Sequence, residues 1–327
     1  MLDITPTNIR TWARLGQRGA FFAIALPDIA ERKADLRLLT ADVAILSGMD
    51  RFINKYPEQF LNVGIAEQNM IGIAAGLAMS GDCVFATTYA SFIAVRSLEH
   101  VRQHLSHMRC NIKVIGTAAG TVAAKSGVSH WATEDMAFMR VLPNIQVLSA
   151  ADSLEAIKIA QYAASNVIPM YIRLSGGLQS PIVYNEDYKF EPGKLVQIKS
   201  GSKIAIIATG LMVAESMQAA DLLRKEGMDV AIYNMHTIKP IDKSGLDRIF
   251  AEFDLIVTVE EHNIIGGMGS AIAEYKALVQ NAPKQVFIGF NDTFTEAGSQ
   301  RFVWSQAGLT SNQIAEKIKK EWEHLND

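Results

Sequence analysis

The sequence is poor in cysteine and carries no large excess of charge of either sign. Cys83 and Cys110 are the two cysteines and form no CxxC pair, which excludes a disulfide framework and predicts buried, reduced thiols in a cytosolic protein. The formal net charge is −3, and lysine and arginine form no cluster, so the usual signature of a nucleic-acid-binding protein is missing. No apolar run reaches about 18 residues and no basic-then-apolar start occurs, so we expect neither a membrane span nor a signal peptide.

Short β-rich runs alternate with longer amphipathic segments along the chain. The runs in the first half are Leu36–Thr40, Cys83–Thr87, Ile112–Gly116, Ile145–Leu148 and Met170–Leu174. Helical spacing of apolar residues separates them, as in Ala66–Met79, Phe92–His107 and Ser153–Ala164. This order predicts an α/β fold with an open, mostly parallel sheet and helices on both faces.

The segment from Gln179 to Ser202 interrupts the alternation with Pro181 and Pro192-Gly193, which is typical of a linker. After it the alternation restarts, and it continues through residues 204–322. The 327 residues are also more than one typical domain needs. We therefore predict two domains of the same α/β kind, at residues 1–188 and 195–327.

One acidic residue stands at the start of an otherwise small and apolar helix. Glu67 follows the strand-like Leu61–Ile65 and precedes Ile71, Gly72 and Ala74. The positive end of the helix dipole favours a carboxylate at this position. Spacing alone leaves two interpretations open, a simple helix-terminal charge or a partly buried acid that transfers protons.

Two further blocks combine aromatic or imidazole side chains with the end of a predicted strand. Tyr89 and Phe92 lie three residues apart, either packed in the core or forming a slot in which a flat ring stacks. His130 ends the small-residue loop 116–130, which follows another strand. Such loops bind ligands in open α/β sheets, although a single loop histidine is more often simply solvated.

These blocks, in this order, resemble the transketolase family. Residues 62–78 (NVGIAEQNMIGIAAGLA), 85–92 (FATTYASF), 139–152 (MRVLPNIQVLSAAD) and 171–174 (YIRL) are similar to the family's pyrimidine-binding domain. Residues 236–242 (HTIKPID) and 259–274 (VEEHNIIGGMGSAIAE) are similar to its C-terminal domain. The resemblance extends from about Arg18 to the end of the chain, and the ordered combination is far more specific than any single motif.

The resemblance implies a thiamine diphosphate site, in which the protein orients the cofactor and tunes its electrostatics. Glu67 matches the family's glutamate that bonds a ring nitrogen of the aminopyrimidine and promotes loss of the thiazolium proton. Tyr89 and Phe92 match the aromatic residues that flank this ring. Asp42 matches an acid near the cofactor, and Ile65, in the same motif as Glu67, is assigned to the cofactor site. His130 matches a histidine that contacts substrate oxygens.

The family's Gly-Asp-Gly…Asn segment, which holds diphosphate and magnesium, does not occur in the sequence; Ser80-Gly-Asp-Cys83 is the nearest match. A cation that bridges a diphosphate needs such oxygen ligands. The resemblance therefore implies that an N-terminal transketolase subunit supplies them. It implies a paired α2β2 assembly in which this chain also associates with itself, and no catalysis by this chain alone.

Several substrate-facing positions differ from the family. Ala118 stands where split transketolases have a histidine, Ser126 replaces an aspartate, and Lys125 reverses the charge beside it. Gly176 replaces a phosphate-binding arginine, and Arg173 precedes that position. Arg18 is retained from the phosphate site. The expected substrate contacts are therefore Arg18, Lys125, Ser126 and His130. We expect the substrate specificity to differ from that of the family, because each lost charge-assisted bond is worth about 1.5–3 kcal/mol. Lys125 either binds an anion or is a solvated loop charge.

Other readings remain open. A 2-oxoacid dehydrogenase beta subunit shares the domain plan, but it usually carries a His-Ser-Gln segment where this chain has His130-Trp-Ala-Thr. A non-catalytic subunit would have no reason to keep Glu67 together with both aromatic residues. His100, His104 and His107 share a helix face, but they lack a His-Glu-x-x-His arrangement, so packing is preferred to a metal site.

Overall fold

The computed structural model describes residues 2–326 and contains twelve strands in two sheets. The strands are β1 (Leu36–Thr40), β2 (Phe60–Asn62), β3 (Cys83–Tyr89), β4 (Ile112–Thr117), β5 (Gln146–Ser149), β6 (Met170–Arg173), β7 (Val196–Lys199), β8 (Lys203–Ala208), β9 (Val230–Asn234), β10 (Thr237–Lys239), β11 (Phe253–Asn263) and β12 (Lys284–Phe290). The first sheet has the order β10-β5-β6-β4-β3-β1-β2, and the second has the order β12-β11-β8-β9-β7. Every pairing is parallel except β10 with β5 and β7 with β9.

The helices in the described part of the chain pack on these sheets. They are α1 (Pro6–Gly19), α2 (Leu26–Ala30), α3 (Asp50–Lys55), α4 (Glu67–Met79), α5 (Leu98–His100), α6 (Asp135–Val141), α7 (Ser153–Ser165), α8 (Met212–Lys225), α9 (Lys243–Glu252), α10 (Met268–Lys276), α11 (Gln300–Ala307) and α12 (Ser311–Asn326). Wider π-helical turns occur at Ala20–Ala25, Phe92–Arg96 and Val101–His107. None of the helices between residues 2 and 326 has both the length and the apolar character needed to cross a bilayer.

Both faces of the sheets are buried, which is why their strands are almost uniformly apolar. Leu36 and Leu38 of β1 belong to one hydrophobic cluster, whereas Leu39 belongs to the other. Phe85 of β3 points into the first cluster, and its neighbour Val84 points into the second. Successive side chains of a strand face opposite sides, so helices must cover both sides of the sheet. The predicted fold class, two mostly parallel α/β sheets, is confirmed.

The sequence pattern located most elements but did not predict the strands β7 and β10 or the helices α1, α2, α3, α6 and α11. The strand predicted at Leu36–Thr40 has those bounds, and the helix predicted at Ser153–Ala164 is α7. The predicted linker, however, contains β7, and α1 was not predicted, although Thr5 caps it by accepting a bond from Asn8 N–H. Strand β10 lies in the second half of the chain yet pairs with β5 of the first sheet. Three residues followed by Pro240 are too short to give a periodic signal.

A buried histidine lies where the chain passes from the second sheet to β10. His236 is fully buried, its Nδ1 lies 2.8 Å from Thr237 Oγ1, and its Nε2 has no partner in the described part of the chain. Its ring centroid is 4.5 Å from that of Phe190. Burial lowers the pKa of His236 from 6.5 to about 4, because the imidazolium would lose its hydration.

This burial predicts a pH-dependent stability. Between pH 6.5 and 4 the unfolded chain binds a proton at His236 and the folded chain does not, so stability is present above pH 6.5 and is lost as the pH falls. The loss is expected to reach about 3 kcal/mol, and a His236→Gln variant should lack this part of the dependence. Urea unfolding at several pH values measures it. Identical pH slopes for the two proteins would contradict the prediction.

Candidate functional site

The predicted site residues meet at the carboxyl ends of β1, β3 and β4. Tyr89 is the last residue of β3, Asp42 lies two residues beyond β1, and the loop that ends in His130 follows β4. These strands are neighbours and run parallel, so their carboxyl ends share one edge of the sheet. Ligand sites of open α/β sheets lie at such edges.

Glu67 is the first residue of α4, and its side chain is buried. Its Oε1 accepts a hydrogen bond of 2.5 Å from Arg96 Nη1. The Arg96 guanidinium also lies 4.3 Å from the centroid of the Phe92 ring. Glu67 is therefore not a helix cap in the described structure: it is a buried carboxylate held in an ion pair at the positive end of a helix.

Arg96 was missed at the sequence level. It follows Phe92 by four residues, a spacing that places both side chains on one helix face. Gln68 Nε2 donates to the Arg96 carbonyl oxygen at 3.1 Å, which joins the first turn of α4 to this segment. The spacing from Phe92 was a usable signal, but the contact with Glu67 depends on the tertiary structure, because 29 positions separate the two residues.

Three rings form one cluster beside this ion pair. The Tyr89 and Phe92 centroids lie 5.6 Å apart with their planes tilted by 35°, so the two rings form one wall rather than a parallel slot. His130 stands edge-on to both rings, with its centroid 6.0 Å from Tyr89 and 5.5 Å from Phe92. Ser129 Oγ lies 3.0 Å from His130 Nδ1. All three rings are half-buried, so they are not enclosed in the core.

Asp42 and Ile65 lie on the exposed side of this region. Asp42 has a φ of 60°, and its Oδ1 accepts a bond of 3.1 Å from Asn62 Nδ2. Asn62 Oδ1 in turn accepts bonds from the N–H groups of Asp42 and Gly64, which ties the end of β1 to the segment that leads to Glu67. Ile65 is 77% exposed. Both positions are open to a ligand or a second chain.

Three of the four predicted substrate residues, Arg18, Lys125 and Ser126, border one cavity of about 410 Å³, whereas His130 is not among the residues that line it. Its lining consists of Arg18, Leu46, Tyr89, Ala118, Val122, Ala123, Ala124, Lys125, Ser126, Ser299 and Gln300. The pKa of Arg18 is lowered overall, because burial lowers it and the nearby Tyr89 phenol offsets only part of that effect. Lys125 and Ser126 are exposed at the rim. None of the described residues that line the cavity is acidic, so it suits a neutral or anionic ligand. A larger cavity, of about 480 Å³, lies at the amino end of β1, beside Ala34 and Asp35 and away from these residues.

Neither Gly176, which replaces a family arginine, nor Arg173, which precedes that position, lines the cavity that contains Arg18. Gly176 donates its N–H to Gln17 Oε1 at 2.9 Å, and a Cβ there would lie 2.4 Å from Ser180 Oγ, so a larger residue would have to displace the side chains of Gln17 and Ser180. Arg173 is buried and pairs with Asp135 at 2.8 Å between Nε and Oδ2. Its Nη2 donates to the Glu261 carbonyl oxygen at 2.9 Å. Arg173 thus joins the two sheets and does not face the cavity.

The three helix histidines do not form a metal site in the described residues. The His100 and His104 ring centroids are 6.3 Å apart, and both Nδ1 atoms are buried without a hydrogen-bond partner there. Between residues 2 and 326 no group of three His, Cys, Asp or Glu side chains is arranged to hold an ion. Both cysteines are free and buried, as predicted.

Comparison with known proteins gives the family. Residues 18–179 match the model of the transketolase pyrimidine-binding domain, and residues 193–314 match that of the transketolase C-terminal domain. The 6-deoxy-6-sulfo-D-fructose transketolase subunit SqwH of Clostridium sp. (strain MSTE9) is 33% identical over 92% of this chain and 93% of its own length. An apulose-4-phosphate transketolase subunit from Actinobacillus succinogenes is 35% identical over 73% of this chain and 77% of its own length.

A solved structure agrees with these relatives. A split-gene transketolase, described as an inactive beta4 tetramer, superposes with a TM-score of 0.86 at 37% identity, covering 94% of this chain and 98% of that one. The sequence relatives, the domain models and the fold therefore all indicate the same family over nearly the whole chain. The chain belongs to the transketolase family, carries its pyrimidine-binding and C-terminal domains, and is similar to the C-terminal subunits of split transketolases.

Proposed function

We propose that this chain is the C-terminal subunit of a thiamine-diphosphate-dependent, transketolase-type transferase. It transfers a two-carbon ketol unit from a ketose-type donor to an aldehyde acceptor, and its substrate preference differs from that of ordinary transketolases. The supporting observation is the convergence of Glu67, Tyr89, Phe92 and His130 at one sheet edge, beside the cavity that contains Arg18. The domains proposed at 1–188 and 195–327 hold the cofactor site and the C-terminal fold respectively.

The residues present fit an aminopyrimidine ring. One polar contact comes from the buried carboxylate at the N-terminus of α4. Two apolar surfaces come from the half-buried aromatic wall and from the exposed Ile65. When bound, thiamine diphosphate supplies the nucleophilic carbon that carries the two-carbon unit. Glu67 is the residue that would share a proton with a nitrogen of the bound aminopyrimidine ring, and Arg96 holds the Glu67 carboxylate in place. Asp42 would border the bound cofactor, and His130 would exchange hydrogen bonds with substrate oxygens.

A partner subunit is part of this proposal. Exposed apolar side chains lie close to the site in sequence: Ile45 (81%), Leu46 (61%), Ile65 (77%), Val95 (58%) and Val128 (40%). Apolar groups concentrated around a functional site are typical of a surface that another chain covers. We propose that an N-terminal transketolase subunit with a Gly-Asp-Gly…Asn segment covers them and holds the diphosphate and Mg²⁺. The expected assembly is an α2β2 heterotetramer in the cytoplasm.

The substrate proposal follows from the charges at the cavity. Arg18 and Lys125 are the two cationic groups, and neither Gly176 nor Arg173 adds a third. The relatives act on 6-deoxy-6-sulfo-D-fructose and apulose 4-phosphate, both of which are anionic sugars. We propose an anionic sugar of this general class, with Arg18 as the fixed contact and Lys125, Ser126 and His130 as the loop contacts.

A transfer assay of the reconstituted pair of subunits tests the proposed function. β-Hydroxypyruvate, which yields the same two-carbon unit with loss of CO₂, should be consumed in the presence of an aldehyde acceptor. Xylulose 5-phosphate should react with ribose 5-phosphate with a kcat/KM about 10- to 100-fold below that of the better of two other anionic donors, 6-deoxy-6-sulfo-D-fructose and apulose 4-phosphate. No ketol transfer from any donor would reject the function, and xylulose 5-phosphate as the best donor would reject the altered specificity.

A further inference from the structure

The cavity that contains Arg18 has walls from both halves of the chain. Arg18, Tyr89 and the loop 118–126 come from the first half, whereas Ser299 and Gln300 come from the start of α11 in the second. Its volume of about 410 Å³ is within the range of small-molecule sites. The second half of the chain is therefore a boundary of the cavity as well as a support for the first sheet.

A single buried carboxylate joins these two walls. Glu261, on β11, is 1% exposed, and its Oε1 accepts bonds from Thr121 N–H at 2.9 Å and Thr121 Oγ1 at 2.5 Å. The same oxygen accepts from Trp304 Nε1 at 2.7 Å and Gln300 Nε2 at 3.2 Å. Hydrogen bonds to an ionised acceptor are the strong class in proteins. Glu261 therefore sets the distance between the loop and α11.

The backbone beside Glu261 allows this close approach only to glycine. Gly120 has a φ of 66°, and a Cβ at that position would lie 2.3 Å from Glu261 Oε2. Gly120 also exchanges two backbone hydrogen bonds with Ala132, of 3.0 and 2.9 Å, which closes the base of the loop. The loop conformation thus depends on a carboxylate from the second sheet.

Gln300 has hydrogen-bonding capacity beyond its bond to Glu261. A glutamine amide has two N–H donors and one carbonyl acceptor, and the bond to Glu261 uses one donor. The half-buried side chain lines the cavity, as Arg18 and Lys125 do. A neutral amide there suits a hydroxyl group, whereas the cationic residues suit an anion.

We infer that Gln300 is a specificity-determining residue and that Glu261 is a positioning residue for the same site. Gln300 contacts a hydroxyl of the substrate beyond the transferred two-carbon unit. Glu261 holds Gln300 and the loop 118–126 at a fixed distance from each other. This inference rests on the proposed function and adds that the C-terminal domain selects the substrate. The binding of short donors should therefore depend less on Gln300 than the binding of five- and six-carbon sugars does.

The test uses the reconstituted complex with β-hydroxypyruvate as donor and measures inhibition by five- and six-carbon sugar phosphates and by 6-deoxy-6-sulfofructose. Gln300→Leu should raise the ratio of the inhibition constant to the KM of β-hydroxypyruvate about 3- to 10-fold. Glu261→Leu should raise it about tenfold or more, because the loop is displaced. Glu261→Gln should restore much of the loss, since its amide oxygen still accepts from Thr121 and Trp304.

Two matched variants serve as controls. Gln306→Leu changes an exposed glutamine of the same helix, and Glu260→Gln changes the neighbouring buried acid, which instead accepts bonds from Met268 and Gly269 at the start of α10. Neither should change the ratio. Faster hydrogen exchange at residues 118–126 in Glu261→Leu would independently support the positioning role.

The outcomes separate the two levels of inference. Absence of turnover by the unaltered complex would reject the proposed function and, with it, this inference. Turnover without competition by any of the longer sugars would reject the inference alone. So would an unchanged ratio in Gln300→Leu, or an equal change in Gln306→Leu.

Discussion

Replacing Glu67 by alanine is expected to lower the kcat of the reconstituted enzyme by about 10²- to 10⁴-fold, the usual contribution of a positioned acid or base. The carboxylate is buried, and its Oε1 accepts the 2.5 Å bond from Arg96, so its position is well defined before any ligand binds. Glu67→Gln tests the proton separately, because the amide keeps the size and one acceptor but cannot share a proton in the same way. Steady-state transfer from β-hydroxypyruvate measures the effect.

Two controls accompany Glu67→Ala: a variant of the neighbouring residue and a test of complex formation. Gln68→Ala alters an exposed neighbour in the same helical turn, whose side chain donates to the Arg96 carbonyl oxygen, and should change kcat by less than about tenfold. Both variants should form the same complex with the partner subunit in size-exclusion chromatography. An intact complex of Glu67→Ala with undiminished kcat would show that another group performs the proton transfer.

The second large effect is the dependence on a partner. This chain alone is expected to show no measurable ketol transfer and to bind thiamine diphosphate with Mg²⁺ at least about 100-fold more weakly than the complex does, because the partner supplies the oxygen ligands of the cation and the diphosphate. Calorimetric titration of the chain, of the partner and of their mixture measures this. The mixture should also bury the exposed Ile65 and Val95.

A matched pair of titrations makes this result decisive. Thiamine, which lacks the diphosphate, should bind equally poorly to the chain and to the complex, because the partner's contribution is directed at the diphosphate and Mg²⁺. Full turnover by the purified chain would contradict the split site. So would cofactor affinity that does not change when the partner is added.

The elements of the fold followed from local sequence, with limits that have physical causes. Strands buried on both faces are continuous apolar runs, so Leu36–Thr40 and most of β3, which was predicted at Cys83–Thr87, were recognisable without any structure. Strand β10 could not be recognised in this way. Its three residues become a strand because they pair with β5 at the edge of the first sheet, which the chain reaches only after the linker. A partner strand distant in sequence leaves no local periodicity.

For the site, the sequence by itself determined which side chains are available: Glu67 at a helix start, the aromatic pair Tyr89 and Phe92, and His130 at the end of a small-residue loop. It determined these because helix starts, strand ends and loop composition are local properties of the chain. Only the tertiary structure decided that Arg96 pairs with Glu67, that Arg173 points inward, and that Gln300 reaches the cavity containing Arg18. These pairs of residues lie 29 to about 280 positions apart, and the packing of the two halves of the chain, which no short segment encodes, brings the most distant of them together.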